Sequence, residues 1–153
     1  MNQEILDYIK TQHVGVLALE MLDGSPHAST VHFAHIEKPL TFLFETYREY
    51  RKAEPLFARP LTRASFVIGS DEKEMKTLQM DGMVRLMTPE ERNELFDGIY
   101  LEKFPEKKAK AQEPKVVAFL FTPTWWRFTD WTKIEGKRIL TSSPYMVPMS
   151  HFG

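Results

Sequence analysis

The residues from Thr46 to Lys52, TYREYRK, bring a hydroxyl, two guanidinium groups and an ammonium into one short stretch. Those groups suit a small anion. A threonine hydroxyl donates to a phosphate oxygen, arginine grips it through paired N–H groups, and lysine adds a point charge. If the chain turns helical directly after Thr46, then Arg48, Arg51 and Lys52 stand at i, i+3 and i+4 on one face near a helix N-terminus. Backbone N–H groups there add about half a positive charge. The predicted chemistry is recognition of a phosphate monoester. A solvated basic turn that binds nothing has the same spacing, and local pattern alone does not choose between them. Strand parity turns the neighbouring Glu45 away from Thr46.

The rest of the sequence narrows the partner. The 153 residues carry a formal net charge of −1, so nothing global draws the chain to nucleic acid or to an anionic membrane. A small-molecule ligand is the expected partner. The absence of cysteine rules out disulfides and thiolate metal sites. The opening MNQEILDYIK holds acids and no long apolar run, which predicts no signal peptide. No stretch approaches the ~20 apolar residues of a membrane helix. The expected setting is the cytoplasm.

The elements that must position the anion-binding residues read mostly as strands. Ile5, Leu6 and Ile9 have helical spacing behind a candidate cap at Asn2. His13–Met21, Pro26–Ile36 and Leu40–Thr46 then form a meander, with Asp23-Gly24 in the first turn. Ala64–Gly69 and Met75–Met87 follow, and Gly82 marks a bulge or bend. Thr88, Pro89 and Glu91 predict a capping box opening a helix that ends before Pro105. EKKAKAQEP is read as a solvated linker without function. Lys115–Thr122 is a sixth strand, and the alternating TWWRFTDWT is a seventh or a bent continuation. This predicts a mainly β (α+β) fold, an antiparallel barrel of six to seven strands with flanking helices. One domain is expected over residues 1–140, with an irregular tail over 141–153.

The segment ETYREYRKA resembles the flavin-phosphate segment of the pyridoxamine 5′-phosphate oxidase-like FMN-binding split barrels, where a Thr ends the third strand and an Arg-Lys pair follows. Thr46, Arg51 and Lys52 match those positions. The similarity continues in MKTLQMDGMVRLMTPEE and extends from about His13 to Trp131. The resemblance implies a split barrel, a homodimer with FMN at the interface, and flavin contacts from Ser29, Thr30 and Val31 on the second strand. Thr77 falls where the oxidase has a phosphate-binding Gln. In RFTDW, Arg127 and Asp130 match the oxidase's substrate segment, but Trp131 replaces its second Arg. An indole stacks but does not pair with an anion, so a flatter and less charged substrate than pyridoxamine phosphate is expected.

The resemblance further implies an oxidoreductase that moves electrons between NAD(P)H and a small molecule, its catalytic side chains unassigned because the flavin carries the chemistry. The alternative is a non-catalytic protein that binds or carries FMN, F420 or haem. His27, His32 and His35 would share the second strand, and His27 and His35 would stand about 26 Å apart, too far for a common metal. No metal site is assigned. His151 is the candidate tail histidine for haem.

Overall fold

The structure, a computed structural model, describes residues 1–69 and 71–142. The opening helix α1 (Gln3–Lys10) is capped as expected, the Asn2 side chain accepting from the Glu4 N–H. The strands are β1 (Val14–Glu20), β2 (Pro26–His32), β3 (Ala34–Glu37), β4 (Leu40–Tyr47), β5 (Thr62–Ile68), β6 (Lys76–Leu86), β7 (Val116–Asp130) and β8 (Arg138–Thr141). The sheet is antiparallel throughout, in the order β2-β1-β5-β6-β7-β4-β3, with β8 beside β7. Its two edges, β2 and β3, are consecutive in the chain, so the curled sheet is a split barrel whose edges meet at Phe33.

Alternation explains the core. Phe42 and Phe44 on β4 point into the barrel, where Phe66 packs against them and against Phe33 with ring centroids 5.1–5.4 Å apart. Leu43, between them, faces the other way into a second cluster with Phe96, Tyr100 and Phe104. That cluster packs β4 and β7 against a helical segment over residues 89–103. Thr88 and Glu91 form the predicted capping box there, and the segment ends at Lys103.

Three details differ from the sequence reading, and a fourth decides between its two alternatives. The strand expected over Pro26–Ile36 breaks at Phe33, whose side chain is fully buried and whose N–H donates to the His13 carbonyl at 3.0 Å. The break puts His35 on β3, so the three histidines do not share one strand. The helical segment is mainly π-helical, over Arg92–Tyr100. The sixth and seventh strands are one bent strand, β7, and the bend lies opposite a register shift at Asp81/Gly82. A Cβ on Gly82 would lie 2.1 Å from the Thr122 carbonyl oxygen, so only glycine fits. Strand β8 carried no recognised signal. The tail beyond residue 142, with His151, lies outside the described residues. Among those described, no helix is long and apolar enough to cross a membrane.

Candidate functional site

The chain does not turn helical after Thr46. Strand β4 runs on to Tyr47, a turn follows, and a short 3-10 turn (Arg51–Ala53) leads into α2 (Glu54–Ala58). Arg48 therefore leaves the expected stripe, and its guanidinium lies 4.3 Å above the Phe57 ring. The regular helix α2 begins only at Glu54, and the 3-10 turn that precedes it carries Arg51 and Lys52.

Two hollows meet at Lys52. The larger, about 450 Å³, is lined by Thr30, Val31, Thr46 and Lys52, and also by Glu45, His32, Tyr100 and Lys107. The smaller, about 430 Å³, is lined by Ser29, Arg51 and Lys52 with His27, Glu49 and Tyr50. Lys52 Nζ donates to Ser29 Oγ at 3.2 Å, which ties the turn after β4 to β2. Burial lowers the Lys52 ammonium below its usual range, and nearby Lys107 adds to the effect. Thr46 is buried, and its Oγ1 has no hydrogen-bond partner among the described residues. An orphaned hydroxyl costs about 1–3 kcal/mol, which a ligand acceptor would relieve. Six of the proposed site residues thus gather around one pair of hollows.

The other three lie elsewhere. Thr77 pairs with Thr129 near the far end of β7, whereas Thr46 pairs with Val117 near its start. That stretch of strand spans up to about 40 Å when extended. Thr77 and Trp131 line a separate hollow of about 450 Å³ with Val67 and Met75, and Trp131 is 44% exposed there. Arg127 lies 5.5 Å from the Trp125 ring centroid, opposite Thr141 of β8. One chain does not bring the two groups together.

Residues that the sequence reading passed over complete the larger cavity. Lys107, from the segment read as a solvated linker, has its Nζ 2.7 Å from Glu45 Oε1 and donates to the Tyr100 hydroxyl at 2.9 Å. Burial drives the Tyr100 phenol well above its ordinary range, and Glu45 reinforces the shift. Glu45, although on the opposite face of β4 from Thr46, still borders the same cavity.

The family model for pyridoxamine 5′-phosphate oxidase matches residues 1–130. The chain belongs to this family. Among solved structures, a general stress protein 26-related protein of the same family from Clostridium acetobutylicum is 15% identical, with a TM-score of 0.64, 92% of this chain and 93% of that one covered. A heme binding protein from Mycobacterium smegmatis is 16% identical with a TM-score of 0.70 over 88% of this chain, which spans only 54% of that protein. The heme storage protein HutZ from Vibrio cholerae is 17% identical with a TM-score of 0.64, covering 80% of this chain and 89% of that one. At these identities the likeness is one of fold. No curated protein matches the chain.

Proposed function

We propose that this family member binds FMN and acts as a flavin-dependent oxidoreductase, linking NAD(P)H to a small-molecule acceptor. The observation that carries the reading is the buried, unpartnered Thr46 hydroxyl beside the half-buried Lys52 ammonium, in hollows where Arg51 supplies a second cation. Those donors fit a phosphate monoester. Bound FMN would supply reversible acceptance of hydride. Arg51, Lys52 and Thr46 hold the phosphate, and Ser29, Thr30 and Val31 form the β2 wall. Thr77, Arg127 and Trp131 act from a second copy of the chain, because they lie far from Thr46 within one copy. The assembly is a homodimer. Trp131, where the oxidase has an arginine, favours a flat and weakly charged acceptor over pyridoxamine phosphate.

Haem is the second reading, favoured by the two haem proteins among the similar folds. F420 has a flavin-like ring and a phosphodiester in place of the monoester, so it offers the same cations less negative charge. Adding FMN, riboflavin, F420 and hemin separately to purified protein separates these readings. Quenching of FMN fluorescence, followed by bleaching of the bound flavin with NADH or NADPH, supports the oxidoreductase. Protein that takes up FMN but is not reduced by either nicotinamide is a carrier. Protein that takes up hemin and not FMN contradicts the proposal. Light scattering that gives a monomer at micromolar concentration contradicts the shared site.

A further inference from the structure

The larger cavity holds a polar group that phosphate binding leaves unexplained. Lys107 Nζ, already engaged by Glu45 Oε1 and the Tyr100 hydroxyl, also lies 3.4 Å from His32 Nδ1. An ammonium has three donors and no acceptor, so the ring nitrogen facing it must accept. A neutral imidazole that accepts at Nδ1 carries its proton on Nε2. The Phe104 ring, 5.3 Å away between centroids, packs against the imidazole and restrains its plane. His32 borders the cavity.

The charges around the ring favour the same state. Burial comes first and the Lys107 charge second in holding the imidazole below its ordinary range, and His13 adds slightly; Glu106 and Glu45 act the other way. Protonation at Nδ1 would press an N–H against the ammonium. Lys107 is itself fixed, because Glu45 neutralises it and the fully buried Tyr100 locates it.

We propose that Lys107 holds His32 as the neutral imidazole with its proton on Nε2, and that His32 uses this N–H to bind an acceptor atom of the cavity's ligand. The acceptor is a carbonyl oxygen or an aromatic ring nitrogen. Lys107 is a positioning residue, acting through His32. The inference rests on the reading of this cavity as a flavin site. It has a chemical corollary. An iron-binding imidazole offers the Nε2 lone pair while Nδ1–H donates to an oxygen; His32 is held in the opposite tautomer and is not an iron ligand.

Riboflavin lacks the phosphate, so its binding is independent of the Arg51 and Lys52 charges and reports on the rest of the cavity. Riboflavin and FMN are titrated into wild type, His32→Ala, His32→Gln and Lys107→Met, and ring-nitrogen NMR reads the His32 tautomer. His32→Ala should weaken both flavins about tenfold, the scale of one uncharged hydrogen bond. His32→Gln, which keeps a side-chain N–H, should recover most of that loss. Lys107→Met should raise the pH at which His32 protonates. Wild type that binds neither flavin overturns the flavin reading and this inference with it. Wild type that binds FMN, with His32→Ala unchanged, overturns the inference alone. An Nδ1–H tautomer in wild type overturns it whatever the flavins do.

Discussion

The two ends of β7 offer ligands different chemistry. Near its start the cavity-lining side chains are Thr46, Lys52, Glu45 and Lys107, with cations half-buried and a hydroxyl that has no partner among the described residues. Near Thr129 the hollow combines Val67, Met75 and an exposed Trp131, which suit stacking, with Asp71, Glu72 and Lys76 at its border. One end presents cations and a hydroxyl, and the other presents an exposed indole and apolar side chains beside Asp71, Glu72 and Lys76. The separation teaches that a ligand needing both must draw them from two copies of the chain, or use only one.

The bend at Gly82 lies between the two ends, and replacing it should have the largest effect. Gly82→Val places a Cβ against the Thr122 carbonyl and should cost about 3 kcal/mol, the upper end of overpacking penalties. Urea unfolding measures the loss, and both hollows should fail together. Loss of one with the other intact would break the view that this bend sets both.

Thr46→Val sharpens the comparison at the polar end. It removes a buried hydroxyl without a partner, so free protein should gain about 1 kcal/mol while FMN affinity falls. Thermal unfolding with and without FMN separates the two effects. A destabilised variant would mean that the hydroxyl is satisfied in the free protein.

A smaller effect tests the helical packing that carries Lys107 to the cavity. Lys103 donates to the Gln12 carbonyl at 2.6 Å and lies 4.4 Å from the Phe33 ring centroid. Burial lowers its ammonium to about 8, from 10.5. Above pH 8 the unfolded chain keeps a proton that the folded chain has shed, so rising pH favours the folded state. Stability should therefore climb from pH 8 towards 10, where tyrosine ionisation in the unfolded chain begins to oppose it. Lys103→Met should flatten the climb, as read by urea midpoints at several pH values.

Trp131→Ala should change least. Its side chain is 44% exposed, so stability should stay within about 0.5 kcal/mol. The preference for FMN over riboflavin should not move, because that preference belongs to the other end. A lost preference would place Trp131 against the phosphate and erase the contrast.

The sequence made much of this legible wherever local physics decided the outcome. The Asp23-Gly24 turn, the Thr88 capping box and the bend at Gly82 each follow from a backbone requirement, and each stands in the structure. Phe33 was harder. It continues an apolar strand pattern, and only the meeting of the barrel edges interrupts it. The stripe of Arg48, Arg51 and Lys52 failed because Tyr47 pairs with Val116 and extends β4 by one residue, and a turn then delays the helix. Lys107 could not be found from pattern. It sits in a charged run without periodicity, and its role comes from Tyr100 at the end of the preceding helical segment and from Glu45, which is distant in sequence.

Phosphate recognition at the charged end of β7 is tested by comparing FMN with riboflavin. FMN and riboflavin are titrated into wild type and the double variant Arg51→Ala/Lys52→Ala, with thermal unfolding as the control for folding. A charge-assisted hydrogen bond contributes about 1.5–3 kcal/mol, so each substitution should weaken FMN roughly ten- to a hundredfold. The double variant should stay folded, lose FMN, and bind riboflavin as wild type does. A folded double variant that binds FMN as tightly as wild type would contradict phosphate recognition there.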